Sequence, residues 1–223
     1  MKNLEIRQQY LDSLNEINQE VLRMGTLVEE AIRSAVSALK NRDAELANKV
    51  IDNDDAINKM ELSIQDRCII LIATEQPVAG DLRGLIGTLK IVAQLERMGD
   101  HAVHIAKNAL KLVGETYMKK LIDMPRMAER AIQMLHEVLT AFMNSDQQKA
   151  IEVAAMDDEI DELHEQVMRE CLTYMMQDAK YIPQATAFLF ISRFLERLGD
   201  QVTNISEWIC YIVTGEHQEL NLK

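Results

Sequence analysis

The chain is poor in everything that builds sheet, sharp loops or a cross-linked scaffold. Among 223 residues there are 3 prolines, 8 glycines, 3 cysteines and only 4% aromatics. Few turn-formers and few aromatics, with an apolar stock of Leu, Ile, Ala, Val and 13 Met, favour long helices over sheet. Cys68, Cys171 and Cys210 form no CxxC spacing, which excludes an oxidised framework and leads us to expect a reducing compartment. Basic charge is also short: 24 Lys and Arg against 36 Asp and Glu give a net charge of -12, with no basic block to neutralise a run of phosphates. Nucleic acid is therefore excluded as a partner. No stretch approaches the roughly 20 apolar residues that cross a bilayer, and the first five residues lack an apolar signal core. The expectation is a soluble cytoplasmic protein that meets a membrane only through partner proteins.

What the chain does have is a sequence written twice. Leu-Glu-Arg-Met-Gly-Asp at Leu95 to Asp100 returns as Leu-Glu-Arg-Leu-Gly-Asp at Leu195 to Asp200. The Asp-Asp-x-Ile segments at Asp54 and Asp157 lie 103 residues apart, as do Cys68 and Cys171, whereas the hexapeptides lie 100 apart. Three residues are thus lost from the connection before the last helix, where deletions cost least. We expect two units, 1–115 and 116–223.

Apolar residues at steps of three and four predict helices over about Glu5–Lys40, Ala44–Ala73, Val78–Val113, Arg126–Met143, Gln147–Gln177 and Gln184–Val213. Asn41-Arg42-Asp43 reads as a turn with Asp43 as the N-cap of the second helix. The fold class is all-α: two tandem three-helix bundles, six long helices, side by side with pseudo-two-fold symmetry. Gly80, Gly84 and Gly87 read as close-approach positions on the third helix, since the strand and Lys-Ser/Thr of a phosphate loop are missing. Cys68 and Cys171 read as small buried residues. Met24, Met60, Met98, Met134, Met168, Met175 and Met176 read as core filler.

The repeated segment also carries chemistry. At 100° per residue, Glu96 and Asp100 share an arc with Leu89, Val92 and Val103, and Glu196 and Asp200 share one with Leu189 and Thr203, with Asn204 at its edge. The preceding helices add Asp54, Asn58 and Glu61 in the first unit and Asp157, Asp161 and His164 in the second. Carboxylates gathered on facing helices repel one another and raise their own pKa values, so a bound cation is the natural compensation. Oxygen donors suit Mg, Mn, Ca or ferrous iron, and His164 shifts the preference towards iron or zinc. The competing reading is that these acids pair with Arg97, Arg197, Lys107 or Arg193 along the helices. No Gly-x-Ser-x-Gly or Cys/His signature marks a nucleophile with its base.

The segments Glu96 to Ala106 and Glu196 to Ser206, with Leu-Arg-Met-Gly at Leu22 to Gly25, Asn-Arg-Asp at Asn41 to Asp43 and the two Asp-Asp-x-Ile segments, resemble the PhoU family over nearly the whole chain. That resemblance implies a regulator of phosphate homeostasis: an adaptor, not an enzyme, that restrains the phosphate ABC transporter and keeps phosphate-starvation two-component signalling off. It implies a homodimer whose partners are the transporter's ATPase subunit and a sensor histidine kinase, and it implies multinuclear metal sites. Carried over by position, one site takes Glu96, Asp100, Asp54 and Glu61, and the other Glu196, Asp200, Asp157 and Asp161. This chain departs from the pattern where Asn58 matches Asp161, His104 matches Asn204 and Lys107 matches Glu207. The lost acid and added cation predict that the second site fills first. A different class, a metal-dependent enzyme of di-iron type, is suggested by Asp161-x-x-His164, but Asn58 and Glu61 break the symmetry such a centre needs.

Overall fold

The computed structural model describes residues 2–220, with side chains from Arg7 onward. Its helices are α1 (Lys2–Asn41), α2 (Ala44–Glu75), α3 (Ala79–Leu110), α4 (Asp123–Asn144), α5 (Gln147–Ala154), α6 (Asp157–Gln177) and α7 (Ile182–Thr214), with a 3₁₀ turn at Ala179–Tyr181. The predicted architecture is present, with one correction: the fifth predicted helix is two. At Ala155 and Met156 ψ falls to -16° and -15°, and Met156 N–H turns to the Val153 carbonyl, a tightened three-residue bond. No Gly or Pro announces this break. The sequence there, Ala154-Ala155-Met156, is a good helix former, and tertiary packing overrides it. The third helix also stops at Leu110, short of the expected Val113.

The turn between first and second helices is duplicated atom for atom. Arg42 (φ 56°) and Ser145 (φ 51°) are both left-handed, and the N–H groups of Asp43 and Asp146 donate to Ala38 and Ala141 at 2.9 Å each. Asp43 then caps α2 by accepting from Leu46 N–H at 2.9 Å, and Asp146 caps α5 by accepting from Lys149 N–H at 3.0 Å.

The last helices of the two units, α3 and α7, lie against each other at the centre; α1 and α2 flank α3, while α4, α5 and α6 flank α7, and α1 meets α4. One continuous core runs through both units, from Val28, Ile91 and Leu95 to Val138, Phe188 and Leu195. Gly87 is a close-approach position, because a Cβ there would overlap Ile212 of α7, but Gly80 and Gly84 face no such crowding. Gly25, the end of the Leu-Arg-Met-Gly segment, lets Leu139 of α4 reach α1. Met24, Met98 and Met134 are fully buried, as are Cys68 and Cys171, yet Met168 and Met176 are exposed rather than core.

The connection from α3 to α4 ties the units together. The Tyr117 hydroxyl donates to the Leu39 carbonyl at 2.6 Å, its ring meets Phe188 edge-on at 5.4 Å, and the Arg42 guanidinium lies 4.4 Å over it. Lys119, almost fully buried, pairs with Asp123 at 3.5 Å and with Glu170 of α6. Across the centre, His101 and His104 of α3 pack on Phe194 of α7, the His104 ring stacked at 4.7 Å and 9°.

Burial pushes the His101 imidazole down to about 4, with Arg197, His104 and Arg97 acting the same way and Asp100 opposing. Its folded value lies below the unfolded one near 6.5, so acidification protonates the unfolded chain first and stability is lost as pH falls from about 6.5 to about 4. Discounted for the ring's partial exposure, the loss is about 1 kcal/mol. A His101→Asn variant is expected to flatten that part of a melting-temperature profile against pH; an unchanged slope would contradict this role.

Candidate metal-binding acidic faces

In the first unit the antiparallel helices α2 and α3 meet at Gly99. A Cβ there would stand 3.1 Å from Ile57 Cδ1 and 3.7 Å from Asp54 Oδ1, so the glycine of the hexapeptide is the seat on which the facing aspartate rests. Asp54 Oδ2 accepts from the Asn58 amide at 3.2 Å, while Asp54 Oδ1 and Asn58 Oδ1 are buried without a partner. Glu61 accepts from Gln65 at 2.8 Å.

Burial raises the pKa of Asp54, Glu61 and Glu96. Each also feels its neighbours: Asp100 raises all three, and Glu61 and Asp54 raise Glu96. The structure therefore brings Asp54, Glu61, Glu96 and Asp100 within mutual repulsion. None of the four makes an ion pair among the described residues.

In the second unit the same contact is tighter. A Cβ on Gly199 would overlap Asp157 Oδ1, and would stand 3.1 Å from its Cγ and 3.2 Å from Ile160 Cδ1. Asp157 is the first residue of α6, immediately after the helix break, and is 3% exposed. The break thus aims a short carboxylate side chain into the space that Gly199 leaves open.

Two helical turns further, His164 Nδ1 lies 3.1 Å from Ser192 Oγ, and the Ser192 hydroxyl donates to the Leu189 carbonyl at 3.0 Å. The serine oxygen is left as acceptor, so this network assigns the proton to Nδ1 and the lone pair to Nε2. Burial, followed by Arg193, lowers the pKa of His164 and keeps it neutral, as a metal ligand must be. With Asp157 on Gly199 and His164 on Ser192, the register sets Asp161 beside Leu195 and Glu196. Glu196 is 9% exposed: one oxygen is ion-paired with Arg193, and Oε2 is buried without a partner. Its pKa is raised by burial and then by Asp200, and burial raises that of Asp200.

Asn204 follows Asp200 by one turn of α7. It lines a groove with Glu207, Trp208 and His217, where the tail folds back and Leu220 N–H donates to Glu207 at 2.9 Å.

Both faces fit a cation by the same tests: glycine cradles, buried oxygens without donors, and carboxylates held above their ordinary range. Among the described residues, however, no three His, Cys, Asp or Glu side chains are already gathered as a cage. The ion pairs give an electrostatic reason for the opposite order of filling to that expected from the sequence. Arg193 already offsets Glu196 in the second face, whereas the four acids of the first face have no ion-pair partner. Because Arg193 is 49% exposed and this pair is worth at most about 1 kcal/mol, it weakens the second face without closing it. The pairing of His164 with Ser192 carried no sequence signal, being 28 residues apart. The seat at Gly99 and Gly199 did, in a glycine repeated at the same place before each aspartate.

A PhoU domain model matches the chain twice, over residues 21–109 and 124–209. The chain is 37% identical over 214 residues to the phosphate-specific transport system accessory protein PhoU of Escherichia coli (strain K12), covering 96% of this chain and 89% of that protein. It is 37% identical over 220 residues to the protein of the same name from Edwardsiella tarda, covering 97% and 90%. Among solved structures, PhoU from Pseudomonas aeruginosa superposes with a TM-score of 0.88 at 36% identity, covering 93% of this chain and 100% of that one. The phosphate transport system regulatory protein PhoU from Streptococcus pneumoniae gives 0.87 at 34% identity, covering 94% and 99%.

Proposed function

Because the chain belongs to the PhoU family and its role lies in phosphate transport, we propose that it acts there as a cytoplasmic, cation-binding adaptor that restrains uptake and phosphate-starvation signalling by protein contact. The observation that supports cation binding is the duplicated acidic face, in which an aspartate from one helix rests on the glycine of an acid-x-x-Gly-acid motif on the next. The first face offers Asp54, Glu61, Glu96 and Asp100, and the second Asp157, Asp161, His164, Glu196, Asp200 and Asn204. A divalent or trivalent ion, iron or zinc by preference with manganese, magnesium or calcium also suited, would supply the positive charge these carboxylates lack.

The side chains do the rest by position. Asp54 links α2 to Gly99 of α3, and Asp157 links α6 to Gly199 of α7, so neutralising either face stiffens the seam between those helices. Action by contact accords with the residues available. Ser192 is fully buried and its hydroxyl is directed at a backbone carbonyl, so it is not poised to attack a substrate. Burial pushes the Cys68 and Cys171 thiols up to about 11, away from the thiolate that reactivity needs. Among the described residues no helix is long and apolar enough to cross a membrane, so reaching the transporter's ATPase subunit and a sensor kinase falls to docking, with a homodimer as the acting form.

Deleting the gene is expected to raise phosphate uptake and phosphatase expression in phosphate-replete cells. Unchanged uptake and expression would remove the regulatory reading.

A further inference from the structure

Bordering the α2–α3 seam, α1, α2 and α3 of the first unit enclose a solvent-open cleft of about 370 Å³. Its walls are apolar where Leu27, Val50, Ile57 and Val103 meet, and its polar groups are Glu30, Ser34, Asn53 and Asp54, with Lys49 at the rim. Gly99 also lines it, and Asp54 Oδ1, which has no donor, lies on that side. The corresponding positions of the second unit are built differently: Met156 stands where Asn53 stands and packs against the core, and Glu137 is paired with Lys149.

The lining selects the occupant. An anion meets Glu30 and Asp54 on a chain of net charge -12. A neutral apolar group leaves Asp54 Oδ1 buried and unsatisfied. A bare ion held at Asp54 would leave most of the volume and the apolar walls unused. What fits is a cation on an aliphatic stem. A guanidinium suits better than an ammonium, because its planar fork serves a carboxylate with two donors while the methylenes pack on Leu27, Val50 and Ile57.

We propose that this cleft is a docking slot for an arginine side chain presented by a basic segment of a partner protein. The partner's being a protein rests on the adaptor reading above; the slot shares Asp54 with the first acidic face, so an ion and an arginine compete for that carboxylate and the slot is probed on metal-free protein. Charge complementarity between a strongly acidic chain and a basic segment supplies the attraction.

The test titrates metal-free, isotope-labelled full-length protein with the blocked tripeptide Ac-Ala-Arg-Ala-NH2 and with its citrulline counterpart, which keeps the shape and loses the charge. Amide shifts of Ser34, Asn53 and Gly99 are followed by NMR. The expected result is saturable shifts for the arginine peptide and at least tenfold weaker binding for the citrulline one. Glu30→Lys and Ala56→Trp, both at exposed lining positions, are each expected to weaken arginine binding at least tenfold, while Glu196→Gln in the other unit leaves it unchanged. Equal binding of the two peptides, or shifts insensitive to Glu30→Lys and Ala56→Trp, would overturn the proposal. So would binding of free n-butylguanidinium with tenfold higher affinity than the peptide, which would make the cleft a small-molecule site. Metal content measured on Ala56→Trp is expected to equal that of wild type, so failure of the slot and failure of the metal faces are told apart.

Discussion

Gly199→Ala is expected to destabilise the protein by about 2 kcal/mol, lowering the melting temperature by about 4–8 °C. The added methyl overlaps the carboxylate of Asp157, which is buried at 3% exposure, and also crowds Ile160. Overpacking of this kind costs about 1–3 kcal/mol, and here the upper end applies because the displaced group is a carboxylate that gives up its place in a packed seam. The helix-propensity gain of alanine over glycine, about 1 kcal/mol, offsets only part of it. Gly99→Ala is the control. Its methyl would touch the ends of Ile57 at 3.1 and 3.3 Å, atoms that a small rotation moves aside, so its stability is expected within about 1 kcal/mol of wild type. Thermal melts followed by circular dichroism separate the two, and equal losses would show that the seat on α7 is no tighter than that on α3.

The second large effect is the response to a cation. Asp54, Glu61 and Glu96 hold their protons more tightly in the folded chain than in the unfolded one. An acid with a raised folded pKa contributes stability that is complete below its unfolded value and is lost as pH rises through the folded one, so the metal-free protein weakens just above the ordinary carboxylate range. An ion at about 100 times its dissociation constant contributes about 2.7 kcal/mol, a melting-temperature rise of about 5–10 °C at neutral pH. Glu96→Gln is expected to stabilise the metal-free protein slightly, by removing one of four repelling charges, and to shrink the rise on adding zinc or manganese. A rise of the same size in wild type and in this variant would place the ion elsewhere.

Much of this was legible in the residues. The duplicated hexapeptide, the offset of 103 shared by Asp54 with Asp157 and Cys68 with Cys171, and the Asn41-Arg42-Asp43 turn gave the repeat, its helices and the cap at Asp43, because each rests on local chemistry. The acidic lines were legible because helical period alone sets which residues share a face. The break at Ala155–Met156 was not, since no Gly or Pro marks it and the contact of Asp157 with Gly199 that follows it joins residues 42 apart in sequence. Exposure of Met168 and Met176 escaped for a related reason: a stripe on α6 looks the same whether it faces the core or an open surface. Arg193 reads in sequence as one of four possible cationic partners, and only the rotamer on α7 shows that it engages Glu196.

The central claim is that the repeated acid-glycine-acid faces hold cations. Its most direct test is metal content by mass spectrometry on tag-free protein equilibrated with iron, zinc or manganese and then dialysed. Wild type is compared with Glu96→Ala/Asp100→Ala and with Glu196→Ala/Asp200→Ala. Bound metal that falls in both double variants, and at limiting metal falls further in the first, is the result predicted here. Metal that is absent from all three, or present equally in all three, would contradict it.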